Sequence, residues 1–225
     1  MPPVSVILGL LFLVLPSALY GPQVDHKEDP LDRQIDSFQL HNETFLDAVA
    51  RVNQLAEVSI SIEFILKESG SAPNIQYPRF DSLIKGGSVK EVLDQVCALD
   101  GRFTWSSYKN TVNVFPQSSL HAGETYLLNR HLSRLEIKNV SDPAQAIFQT
   151  VGLLPPPHEQ IAFMQTGGSG FYSKSLSITL TDVTVRQAFD EIAEHLGTGH
   201  GWTFSGAKNF RMIRFHASLL PQTSP

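Results

Sequence analysis

The chain has 225 residues, 42% hydrophobic and 17% charged, which is enough apolar material for real cores and leaves no case for wholesale disorder. A formal net charge of -5 and a pI near 5.9 provide no basic field for a polyanion, so nucleic acid is excluded as an expected partner. With a leader set aside, the length suits two compact units.

The first segment, Met1 to Leu19, is an uncharged apolar run followed by small residues at Ser17, Ala18 and Gly21. It reads as a secretory signal peptide over 1–21, or, uncleaved, as an anchor in the inner membrane. Either way the remainder is expected outside the cytoplasm, periplasmic or secreted. The single cysteine, Cys97, has no internal partner for a disulfide, a habit that suits a bacterial periplasm. The sequons at Asn42 and Asn139 matter only in a glycosylating host. Residues 22–34 are expected to be a linker.

From Phe38 the run FQLHNETFLDAVARV predicts a short strand, a polar cap and a helix with Val49 and Val52 inward. The run VSISIEF at Val58 then alternates as a strand does. A polar, proline-bearing loop follows, with room for a short strand near Ile75. Ser88 and Glu91 form a capping box that starts a helix, and Val89, Val92, Leu93, Val96 and Cys97 make its buried stripe. Gly101 then stops that helix, and FTWSSYKNTVNVF predicts a hairpin turning at Asn110.

The same sequence of signals recurs. LEIKNVSDPAQAIFQTV from Leu135 predicts strand and helix, with Asp142 before Pro143 at the helix start and Ile147 and Val151 inward. SLSITL at Ser175 reads as the counterpart of VSISIEF. Thr184 and Gln187 repeat the capping box, and Val185, Ala188, Phe189, Ile192 and Ala193 repeat the stripe. Gly197 and WTFSGAKNFRMIRF repeat the stop and the hairpin. The expected fold class is therefore α+β: two tandem β-α-β-β-α-β-β domains at 35–116 and 133–216, each with two helices on a small sheet. A linker at 117–132 joins them, and a tail at 217–225 follows.

In order, Phe38 and Leu40, Ala48 and Val49, Val58 and Ile60, Gly86, the run Ser88 to Val96, Gly101 and the hairpin through Val114 resemble the short N-terminal domain shared by secretins and TonB-dependent receptors. The second copy is a more divergent relative. Glu57 stands where that family usually has glycine, and Val52-Asn53 replaces its usual Leu-Ala. The resemblance implies a periplasmic interaction module that docks on an envelope protein: a secretin, a TonB-dependent receptor or an assembly factor. It also implies a stand-alone adaptor, since a pore or barrel follows the module in that family and none follows it in this sequence.

Signals for chemistry are weak. GSGFYSKS from Gly168 has Ser173 where a phosphate loop needs glycine, and a strand is expected after it where that loop needs a helix. His195 and His200 have Glu191 a turn away, but local spacing supplies no third metal ligand. Cys97 lies on the apolar stripe as a packed thiol. Asp94 and Asp190 share a repeat position on what reads as an exposed helix face. No catalytic, cofactor-binding or metal residue is assigned, and no enzyme activity is expected. The weakest alternative is an enzyme assembled across the copies from Asp94, Lys109, Glu191 and His195. The expected function is non-enzymatic docking through open sheet edges, with Tyr108, Phe115, Phe171 and Phe210 as candidate interface aromatics. The alternative is a small-ligand or glycan module using the interdomain groove.

Overall fold

The computed structural model describes residues 29–65, 75–153, 161–163, 175–197, 199–207 and 210–216, with 143, 144, 161–163 and 210 described through their backbone. The expectations for the leader, the Gly168–Ser175 loop and Phe171 lie outside the described residues. The fold is α+β.

In the first half, β1 (Gln34–Ile35), β2 (Phe38–Gln39) and β3 (Glu43–Thr44) lead into α1 (Phe45–Ala56) and β4 (Ser59–Glu63). Next come β5 (Arg79–Phe80), β6 (Leu83–Ile84), β7 (Gly87–Ser88), α2 (Val89–Leu99) and the hairpin β8 (Phe103–Tyr108) and β9 (Thr111–Pro116). After α3 (Gln117–His121) the second half runs β10 (His131–Val140), α4 (Pro143–Gly152), β11 (Ile161–Phe163), β12 (Leu176–Thr184) and α5 (Val185–Leu196). The hairpin β13 (Gly201–Ala207) and β14 (Phe210–His216) closes it.

The helix starts are where the sequence puts them. Ser88 with Glu91 and Thr184 with Gln187 form reciprocal capping boxes, and Thr44 with Asp47 forms a third on α1. Both apolar stripes, Val89 to Cys97 and Val185 to Ala193, are buried.

The pairing ahead of each capping box recurs between halves. Gln34 faces Ser88 as His131 faces Thr184, Phe38 faces Ile84 as Leu135 faces Leu180, and Glu43 faces Phe80 as Val140 faces Leu176. Asn42 and Asn139 occupy the same repeat position, each with φ near 50°, a left-handed conformation that asparagine tolerates. This register corrects one expected equivalence: SLSITL lies in β12, the partner of β10, and so corresponds to β5–β7. The counterpart of β4 is the short β11, because each runs parallel to the second strand of its own hairpin. The short strand expected near Ile75 forms at Arg79–Phe80, where it can pair with β3.

One six-stranded sheet unites the halves in the order β11-β14-β13-β4-β9-β8. At its middle β13 runs parallel to β4, with Thr203 opposite Ile62 and Phe204 opposite Glu63. Ile60, Ile62, Val112 and Val114 pack with α1 and α2 in one core. The alternate residues Glu63, Asn113 and Phe115 meet side chains of α5. Successive strand residues face opposite ways, so the two halves carry their helices on opposite faces, and β4 and β9 are covered on both. The segment expected as a linker is built in: Leu127 and Leu128 are buried in the second core with Tyr126 packed against it. An apolar pair cannot stay in solvent when a hydrophobic wall lies beside it.

Candidate functional site

Two places concentrate polar groups in defined geometry: the seam between the halves and the outer edge at β8.

At the seam, Glu63 is completely buried at the end of β4. Arg186 of α5 donates to it from Nε and, at 3.1 Å, from Nη2, while Tyr126 donates from Oη at 2.9 Å. The same guanidinium bonds Asn129 Oδ1 at 2.8 Å and lies 4.9 Å over the ring of Phe115. Burial pushes the Glu63 carboxyl above its ordinary range, and Arg186 and Tyr126 oppose the rise.

One turn along α5, Asp190 is 1% exposed. The expected exposed face is therefore corrected at this position: β9 of the other half lies over it, a contact that the helix's own periodicity cannot report. Its Oδ1 accepts from Trp202 Nε1 at 2.8 Å and its Oδ2 from Asn113 Nδ2 at 2.7 Å. Burial pushes its pKa up to about 8 against these bonds and the charge of Arg186. Glu191 pairs with Lys109 and accepts from Tyr108 Oη at 3.1 Å, and Glu194 accepts from Asn110 at 3.0 Å. Backbone contacts complete the seam: Gly199 N donates to Ser59 Oγ and Trp202 N to Ser61 Oγ, both at 3.2 Å.

Tyr108 and Phe115 thus stand at an interface, but an internal one: Phe115 is 3% exposed beneath Arg186. Phe210 begins β14, and its side chain, like Phe171, lies outside the description. Lys109 and Glu191 meet, while His195 Nδ1 lies 2.9 Å from the Glu191 carbonyl oxygen and Asp94 lies elsewhere. Among the described residues no cluster of three His, Cys, Asp or Glu side chains has metal-holding geometry, and no helix is long and apolar enough to cross a membrane.

At the outer edge, β8 pairs only with β9 among the described strands. Gln117 N bonds Arg102 O at 2.8 Å, so the even-numbered residues of the strand turn to β9 and Trp105 and Ser107 turn their backbone groups outward. A cleft of about 410 Å³ runs beside this edge under α2, lined by Asp94, Ala98, Phe103, Thr104 and Trp105. Trp105 Nε1 donates to Asp94 Oδ1 at 2.8 Å, holding the indole at the rim. Cys97 also borders the cleft but is buried, and desolvation pushes its thiol up to about 12.

No protein-family model matches this chain, and no curated protein or solved structure matches it significantly.

Proposed function

We propose that the chain is a non-enzymatic docking module of the cell envelope, exported by its N-terminal apolar segment and engaging a secretin, a TonB-dependent receptor or one of their assembly factors. The outer edge of β8, unpaired among the described residues, carries this reading. Unpaired backbone groups on an edge strand recruit another chain unless something covers them, and β8 has two outward residues, Trp105 and Ser107, beside an open cleft. The resemblance of the first half to the secretin and TonB short domain supports the choice of partner class. Crosslinking in the intact source cell, followed by purification of this protein and identification of what is bound, tests it. Recovery of such an envelope protein is the expected result; recovery of the chain alone sinks the reading.

A further inference from the structure

The seam is a worked example of what this half-unit does with its free edge. In the second half, β13 takes a parallel strand, β4, and α5 overhangs the edge to cover it. In the first half the corresponding parts are β8 and α2. Trp105 faces Val114 as Phe204 faces Ile213. Asp94 holds the indole of Trp105, and Asp190 that of Trp202, which stands two residues earlier in the equivalent strand. Lys90 bonds Asp32 just as Arg186 bonds Asn129. The cleft beneath α2 is therefore the position that β4 fills in the other half, and none of the described strands enters it.

We propose, building on the docking reading above, that β8 receives a parallel β-strand of a partner protein, with a basic side chain opposite Trp105. Trp105 and Ser107 supply the backbone groups, as Phe204 O accepts Phe64 N at 2.8 Å in the seam. The charge preference is opposite to the seam's. There, Arg186 is matched by the carboxylate of Glu63. Here the lysine already has Asp32 at 3.4 Å, and the carboxylate of Asp94 lines the cleft beside Trp105, so a cation fits and a carboxylate is repelled. The entry point also differs. Gly201 lets Ile60 O approach to within 2.1 Å of where a Cβ would stand, and the corresponding residue of the first half is Arg102. The partner strand accordingly begins beside Phe103 and does not pass it. A second copy of this chain is the poorer occupant, because its own β4 is already held by β13.

The test uses two blocked peptides: residues 61–67 of this chain, SIEFILK, and the same sequence with lysine in place of the glutamate. Each is titrated into the isotopically labelled full chain. The lysine peptide is expected to shift amides of β8 and α2 and to bind several-fold tighter than the acidic one, the size of effect a partly exposed charge pair gives. Ser107→Pro removes an outward N–H without touching the β9 ladder, so it should leave the melting temperature unchanged and weaken binding by about tenfold or more. Equal binding by Ser107→Pro, tighter binding of the acidic peptide, or shifts confined to other surfaces would overturn the proposal. Concentration-dependent self-association abolished by Ser107→Pro would assign the edge to a second copy and overturn it too. Failure here is separable from failure of the docking reading: an envelope partner still crosslinked to Ser107→Pro keeps docking and removes strand addition.

Discussion

Arg186 and Glu63 lie 123 residues apart in sequence, yet the guanidinium of one forks onto the buried carboxylate of the other, with Nη2 3.1 Å from Oε2. The pair spans the two halves where β4 ends, and Tyr126 and Asn129 complete its shell. Removing one partner leaves a buried charge without compensation. Arg186→Ala is expected to cost about 3–5 kcal/mol of stability in urea unfolding, whereas the double change Glu63→Leu with Arg186→Met costs much less. If the single and double variants unfold alike, the pair is not the tie between the halves.

Asp190 makes the seam sensitive to pH. Its native pKa, about 8, lies above the unfolded value of about 4, so the native state holds a proton over the interval where the unfolded chain has lost it. The resulting stabilisation is complete below that interval and disappears as pH rises through it. His216 works the other way: burial lowers its pKa to about 4, so its contribution grows with pH until the unfolded value of about 6.5. Above pH 7 only the Asp190 slope remains of the two. Urea midpoints should fall between pH 7 and pH 8 in the parent and stay flatter in Asp190→Asn. Parallel slopes would mean the carboxyl is ionised throughout.

Asn113 Nδ2 donates to Asp190 Oδ2 at 2.7 Å, a bond that favours the carboxylate and opposes the rise in pKa that burial causes. Asn113→Leu should therefore let the native pKa of Asp190 rise further, visible as a larger loss of stability between the same two pH values. A pH response identical to the parent's would mean that the Asn113 bond does not bias the charge of this carboxyl.

Gly201 stands against the chain at the start of β4, and a Cβ there would stand 2.1 Å from Ile60 O. Gly201→Ala should cost about 1–3 kcal/mol by forcing the strands apart. Hydrogen exchange at Phe64, whose N–H crosses the seam to Phe204 O, should rise with it. An alanine variant as protected as the parent at Phe64 would show that the strands can absorb the methyl group.

Leu93 and Phe189 are both fully buried, one in each core. Leu93→Asp and Phe189→Asp should each cost several kcal/mol, since an unpaired carboxylate enters an apolar stripe. Because the sheet is continuous, near-ultraviolet circular dichroism should report loss of both halves together in either variant. Retention of one half's signal would reveal two independent units.

Much of the secondary structure was legible because capping boxes and apolar stripes are local. Ser88, Thr184 and the residues three positions on define helix starts without reference to anything distant. The asparagines at 42 and 139 carried a signal that reading them as glycosylation triplets obscured: both are left-handed turn residues at one repeat position. The neighbour of SLSITL is not legible in the sequence, because alternation identifies a strand but not its partner. Glu63 and Asp190 were invisible as site residues for a related reason. Nothing within a turn of either predicts burial, since the element that covers each belongs to the other half.

The two-sided burial of β4 and β9 also bears on the order of assembly. The first half leaves the ribosome well before Trp202 and its strand, yet the side chains of Ser59, Ser61 and Glu63 bond Gly199, Trp202 and Arg186. The half made first must wait, with one face of its sheet uncovered, for residues about 140 positions later. Closure of so long a loop makes folding slow and leaves an aggregation-prone intermediate, so this chain gains more from a holding chaperone than its size suggests.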